Sequence, residues 1–304
     1  MEISFHYVVE ITTGEDELRL DRYLADEQEL CRRSQLKQRL LSLQVNGRDR
    51  KVSFKVREGD VITGTLAPPV ASDAVAQPVD LAVIREEREF LVIDKPQGLV
   101  VHPGAGNPDQ TLVNGLLWRY QDRMDSDLVQ AEPNRPGIVH RLDKDTSGVM
   151  IIARSLEVHQ YLVEQFSSGS IRKRYIALVK GSPRGDGGTL ETRLGRDPDQ
   201  RRRYAVVEDG GKPAVTNWKV LRRYENYSLI LLQPSTGRTH QLRVHMAHLG
   251  IPILGDPIYA RRDRRHPEAT LMLHALSLRI SPAPGWDAHE FRAVLPERFI
   301  PFLR

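Results

Sequence analysis

In Pro136-Gly-Ile-Val-His-Arg-Leu-Asp-Lys-Asp-Thr-Ser-Gly-Val-Met-Ile-Ile-Ala-Arg154, apolar runs flank a densely polar turn. The run from Gly148 to Arg154 is short, aliphatic and β-branched, so it reads as a buried strand. Leu81 to Ile84, Phe90 to Ile93 and Leu99 to Val101 precede it as similar β-type runs between charged or Pro/Gly turns. Tyr175 to Val179, Ala214 to Val220 and Tyr227 to Leu232 follow it in the same style. From Leu81 onward, helical spacing is confined to Leu112–Tyr120, Val158–Phe166 and Leu242–Leu249, the last ending at Gly250. Many strands with short turns and few helices predict an α+β domain built on a mixed, largely antiparallel sheet.

The polar turn itself carries Asp143 and Asp145, two residues apart. An acid beside a buried strand can act as nucleophile or as general acid and base. Asp145, Thr146 and Ser147 suit a turn in which short side chains bond the backbone. For Asp143 the residue pattern leaves catalytic and structural roles both open.

Toward the N-terminus the texture changes. Leu20, Tyr23 and Leu24 stand at helical spacing, and Ser34 can cap a second helix carrying Leu36, Leu40, Leu41 and Leu43. Val45-Asn46-Gly47 predicts a strand ending in a turn. Val52–Val56 and Val61–Leu66 read as short strands around Glu58-Gly59-Asp60. Between Cys31 and Arg57 nine basic residues, among them Arg32, Arg33, Lys37, Arg39, Arg48 and Lys51, face Asp49 alone. Seven acids between Glu15 and Glu29 oppose only Arg19 and Arg22. Folded apart, these stretches give one strongly basic face, either the footprint of phosphate contact or a solvated helix face. A small helix-strand RNA-binding domain over 15–66 is the expectation. Residues 67–79, rich in Pro and small residues, read as a linker, and residues 80–304 as the catalytic domain.

Composition narrows the classes. The 304 residues are 40% apolar but only 6% aromatic, so aliphatic side chains must build the core. Cys31 is the only cysteine, which excludes internal disulfides and disfavours thiolate zinc clusters. No run is apolar enough to cross a bilayer as a helix, and no secretory signal is readable at Met1, so a cytoplasmic location without membrane association is expected. No coiled-coil heptad appears, a monomer is favoured, and no obligate protein partner is evident. Neither a phosphate-binding Gly-x-x-x-x-Gly-Lys-Ser/Thr loop nor a dinucleotide Gly-x-Gly-x-x-Gly is present, so no cofactor is expected.

Two further segments set polar groups in apolar surroundings. Gln233 to His248 contains the anion-binding candidates Arg238 and Arg243, with His240, His245 and His248. The histidines lack an acidic or cysteine companion, so no metal site is expected. An arginine paired with Asp143 would favour its charged form. Ser170 to Val179 places three basic residues before Tyr175, which is either an ordinary strand aromatic or a group for stacking and proton transfer.

His140-Arg-Leu-Asp-Lys-Asp-Thr-Ser-Gly148 resembles the catalytic motif of the RluA family of pseudouridine synthases, in particular its RluD-like members acting on large-subunit rRNA. Gly237 to His248 with Pro252-Ile-Leu-Gly-Asp-Pro-Ile-Tyr259 resembles that family's second long signature. Lys95 to Gly106 and Gly211 to Thr216 are also similar to it. The basic N-terminal module resembles an S4-type RNA-binding domain. The resemblance implies an enzyme that isomerises uridine, with RNA as partner, no cofactor, and a flipped-out target base. It implies that Asp143 is the nucleophile, Tyr175 a proton-moving group and Arg243 the partner of the catalytic carboxylate. It places His140, Arg141, Arg238 and His240 around the substrate, and Leu273 under the uracil. Two other classes stay in view: a metal-dependent nuclease using Asp143 and Asp145, and a non-catalytic RNA-binding or ribosome-assembly factor.

Overall fold

The computed structural model describes residues 2–11, 16–28, 30–31, 36, 39–67, 74–104, 106–200, 203–281 and 289–303. The chain forms two compact units, Met1–Asp73 and Ala74–Arg304.

In the first unit, β1 (Ile3–Val8), β6 (Val61–Leu66), β3 (Leu40–Val45) and β4 (Arg48–Asp49) form an antiparallel sheet in that order. Asn46 and Gly47 both take positive φ, 51° and 73°, and close the β3–β4 hairpin as their residue types predict. Leu20, Tyr23 and Leu24 are fully buried in a short helix, α1 (Leu20–Arg22), that continues as a π-helical turn, Tyr23–Glu27. A two-stranded ladder pairs β2 (Leu18–Arg19) with β5 (Lys55–Val56). Two expectations need correction. Leu40, Leu41 and Leu43 belong to a strand, where period-2 burial of Leu43 and Val45 against β6 overrides their helical spacing. The strand expected from Val52 shrinks to Lys55–Val56 because Phe54 N–H closes a turn on Lys51 O at 2.9 Å. Ser34 lies outside the described residues.

The second unit is built on one ten-stranded sheet. Its strands are β7 (Ala82–Glu86), β8 (Phe90–Lys95), β9 (Ser147–Ala153), β10 (Arg172–Lys180), β11 (Gly187–Arg196), β12 (Tyr204–Val206), β13 (Lys212–Arg223), β14 (Tyr227–Pro234), β15 (Leu273–Ile280) and β16 (His289–Arg292). The order is β12-β11-β13-β14-β10-β15-β9-β8-β7, with β16 added beside β15. Among the described residues β9 and β15 make the parallel pair and the rest are antiparallel. Every residue of β9 is buried, which explains its unbroken apolar run. The segment Leu99–Val101 is irregular rather than a strand. Val100 and Val101 carbonyls instead accept from Leu112 and Val113 at the start of α2 (Leu112–Tyr120).

Two apolar clusters flank the sheet's midline. One gathers β8, β9, α2 and α4 (Leu156–Ser168), the last capped by Ser155 and ended by Gly169 in the left-handed region; α3 (Ser126–Ala131) precedes β9. The other gathers β10, β14 and α5 (Gln241–His248). Tyr175 packs against both. Residues 74–79, expected to be linker, are fastened to the second unit: Ala74 is buried, and Asn114 Nδ2 donates to Val75 O at 2.8 Å. No helix among the described residues is long and apolar enough to cross a membrane.

Candidate active site

A cavity of about 560 Å³ opens where β9, β10, β15 and the N-terminus of α5 converge. Asp143, Tyr175, Arg243 and Leu273, separated widely along the chain, all line it. Asp143 sits on the turn entering β9. Its own carbonyl accepts Thr146 N–H at 3.1 Å, the expected local turn bond. Its side chain keeps 22% of its surface exposed toward the cavity.

The turn is held from behind. Lys95, wholly buried at the end of β8, donates from Nζ to Pro96 O, Leu99 O and Lys144 O at 2.8, 2.8 and 3.0 Å. Burial lowers its ammonium to about 8, against the raising influence of Asp145 and Asp143. Gln97 Nε2 adds a bond to Asp145 O at 2.9 Å, and Gly98 N–H another to Lys144 O. His140 Nε2 accepts Ile151 N–H at 3.1 Å and its ring stacks on Phe166 at 4.5 Å. Burial, then nearby Lys173, depresses its imidazole to about 3, so it is neutral and shapes the wall. Arg141 is exposed at the rim.

Arg243 rises from α5 with its fork closed on Asp256: Nε to Oδ2 and Nη2 to Oδ1, both at 2.8 Å. Asp256 Oδ1 also accepts Ile258 and Tyr259 N–H at 2.8 and 3.0 Å. The remaining Nη1 reaches Asp143 Oδ2 at 3.4 Å. Burial works against the Arg243 charge, but Asp256 and then Asp143 outweigh it and raise the pKa. The pairing with Asp143 implied by resemblance is thus present, but it is the longer of two, and Asp256 is the anchor.

His240 takes the left-handed conformation, φ 56°, at the head of α5. A non-glycine residue there carries strain. Its Nδ1 lies 2.8 Å from Tyr259 Oη, which accepts Tyr204 N–H at 2.9 Å. A hydroxyl that already accepts one bond gives its proton to Nδ1, leaving the Nε2 hydrogen toward Asp143 Oδ2, 3.9 Å away. Burial lowers the His240 pKa most, although Asp143 opposes this. Gln241 latches the turn: its Oε1 accepts Thr236 Oγ1 and Arg238 N–H, and its Nε2 donates to Val215 O and Thr216 Oγ1.

Tyr175 lies beside a bulge, where β15 inserts an extra residue between the partners of Arg174 and Tyr175. Bulges next to a site re-aim side chains. Burial first, and the Asp143 charge second, push its hydroxyl pKa well upward, so it stays protonated. Leu273, 3% exposed, supplies an apolar floor. Arg238 Nε donates to Pro213 O at 2.9 Å while the residue lines the cavity.

His245 is wholly buried between Thr192 and Thr216 hydroxyls, each 2.9 Å away, and burial lowers it to about 4. His248 is exposed, so the three histidines of this segment do not converge. Asp256, Lys95 and Tyr259 lie in segments that resemble the family's signatures, but the reading of the sequence gave them no role. Each stands as a polar residue in an apolar or Pro/Gly setting, which was their available signal.

In the first unit, Arg48 and Lys51 are exposed. Arg39 is a correction: it is 7% exposed and its Nε donates to Ala67 O at 3.0 Å, so it fastens the backbone rather than facing a partner. Arg32, Arg33 and Lys37 lie outside the described residues.

A family model described as RNA pseudouridylate synthase matches residues 89–248. The chain is 39% identical over 293 residues to the uncharacterized RNA pseudouridine synthase YlyB of Bacillus subtilis, covering 95% of both chains. It is 39% identical over 310 residues to the ribosomal large subunit pseudouridine synthase D of Borreliella burgdorferi, covering 97% of this chain and 91% of that one. Among solved structures, human RNA pseudouridylate synthase domain containing 1 superposes with a TM-score of 0.58 at 28% identity, over 74% of this chain and 86% of that one.

Proposed function

The chain belongs to the RNA pseudouridylate synthase family, and from that membership we propose that it isomerises uridine in large-subunit ribosomal RNA, with Asp143 as the nucleophile. The observation that carries the residue assignment is the convergence of Asp143, Arg243, Tyr175 and Leu273 on one cavity. In the reaction the N1–C1′ bond breaks and a C5–C1′ bond forms. The proton on C5 leaves and N1 gains one, so no electrons are exchanged with a cofactor.

Each side chain has a part. Asp143 Oδ2 is the carboxylate oxygen that meets Arg243 Nη1 and the Nε2 edge of His240. Both place positive potential beside the attacking group. Leu273 packs under the uracil, and Arg141 at the rim takes the space or the backbone left by the displaced base. Extracting a stacked uridine costs on the order of a few kcal/mol, which contacts around the cavity offset. Tyr175 is too weakly acidic to serve as a base while Asp143 is charged. Once that charge is consumed in a bond to substrate, one of the two causes of the raised pKa is gone, and the phenol becomes a better proton carrier.

The first unit supplies RNA affinity as an S4-type domain, through Arg48 and Lys51 together with Arg32, Arg33 and Lys37. Acting on ribosomal RNA implies a cytoplasmic site of action. The test is Asp143→Asn, assayed for pseudouridine in large-subunit rRNA. The variant is expected to bind RNA and form no pseudouridine; conversion at the wild-type rate would sink the assignment.

A further inference from the structure

Lys173 has no part in the chemistry above, yet it lines the same cavity. It stands two residues before Tyr175 on β10 and therefore shares its face of the sheet. The side chain is half-buried, and burial followed by the nearness of Arg238 depresses its ammonium. Among the described residues it pairs with no carboxylate, and its hydrogen bond is a long one, 3.4 Å to Thr236 O. Arg238 is likewise without an acidic partner among the described residues; it donates from Nε to Pro213 O. Between and around them lie Ser235, exposed, and Gly237, over which a Cβ would meet nothing within 4 Å.

Lys95 shows how this fold treats a lysine whose role is structural: three carbonyls at 2.8–3.0 Å use all three of its hydrogens. Lys173 has two donors to spare, faces a second cation, and borders open space. Two like charges in a partly desolvated cleft repel each other, and an arrangement of that kind is stable in use only when an anion joins them. A uracil carbonyl is neutral and would relieve little of the repulsion. A phosphodiester carries a full charge and two accepting oxygens, which suits one ammonium and one guanidinium.

We propose that Lys173 and Arg238 form a phosphate subsite of the catalytic cleft, gripping an RNA phosphodiester beside the flipped uridine. The proposal rests on the reading of this cavity as the uridine pocket. It makes the cleft read the strand's backbone as well as the base.

The experiment uses the full chain and an RNA stem-loop around a mapped target, with single methylphosphonate linkages scanned across the phosphates on both sides of the target uridine. For Lys173→Gln and for Arg238→Gln, KM is expected to rise about ten-fold with kcat nearly unchanged, and Lys173→Arg to retain most of the affinity. One neutral linkage should raise the wild-type KM by a similar factor, raise it less in each glutamine variant, which keeps the other cation, and leave the double variant unaffected. If no linkage is masked by either variant, or if kcat falls while KM holds, the subsite is wrong. Thermal melts confirm that the variants are folded; if Lys173→Gln is not, Arg238→Gln carries the comparison. Absence of pseudouridine from the wild-type reaction would overturn the enzyme assignment itself, which is a different outcome from unmasked linkages.

Discussion

Arg243 is shared unequally between two carboxylates. The planar fork locks onto Asp256 through two 2.8 Å bonds, and only the remaining Nη1 is offered to Asp143. A lysine at this position has no fork and cannot serve both. Arg243→Lys is therefore expected to lower kcat by roughly two orders of magnitude or more, a loss typical of one missing transition-state donor. Asp256→Ala strands a buried guanidinium and should cost about 3–5 kcal/mol of stability, read by urea denaturation. A loss below about 1 kcal/mol would refute the anchoring role. The buried histidines set a second expectation. His140, His245 and His274 have folded pKa values of about 3, 4 and 4, below their ordinary 6.5, with burial the leading cause in each. The unfolded chain takes up protons first, so stability is full above about pH 6.5 and falls as the pH drops toward about 4. A melting temperature unchanged between about pH 7 and about pH 4.5 would contradict this. At this scale Asp143 was visible as a polar residue beside an apolar strand, and the motif singled it out from Asp145. Asp256 was not, because sequence does not say which second acid lies beneath an arginine.

Elements position these residues through close backbone approaches. Gly148 has φ +123°, and a Cβ there would meet Ala275 O at 2.3 Å and Ala275 N at 2.6 Å. It lies five residues after Asp143, where β9 runs parallel to β15, and it pairs in register with Ala275, two residues after Leu273. Gly148→Ala must push these strands apart. It is expected to cost about 3 kcal/mol or more and to reduce activity even where the protein still folds, measured by denaturation and by turnover on rRNA. Most elements of the second unit were legible from their periodicity: β9, β10, β14, α2, α4 and α5 fall where the apolar pattern put them. β11, β12, β15, β16 and α3 were not read from the sequence, and the two misassigned runs have a common cause. Leu40 to Leu43 fit a helix by spacing, but pairing with β6 made them a strand. Leu99–Val101 fit a strand, but its carbonyls were taken by the start of α2 instead of a neighbouring strand. Short apolar runs are decided by what they pack against.

Across the whole molecule, the chain divides into two compact units. Charge reversal at Arg48 and Lys51 is expected to weaken RNA binding and flatten its dependence on salt, the slope falling by roughly one for each phosphate no longer neutralised, while kcat stays near wild type. An unchanged salt slope would remove these residues from the RNA-binding face. Arg39 offers the contrast: the same residue type in the same basic stretch is buried on Ala67 O and should affect stability instead. The sequence by itself determined the α+β class, the alternation of strands and turns, the basic N-terminal stretch and the polar turn bearing Asp143, because these depend on local composition and spacing. Tertiary structure alone decided that Arg243 belongs first to Asp256, that His240 faces Asp143 with its Nε2 edge, and that Lys173 beside Arg238 has no counter-charge among the described residues. Those facts depend on which atoms meet after residues far apart in the chain come together, and no local pattern encodes that meeting.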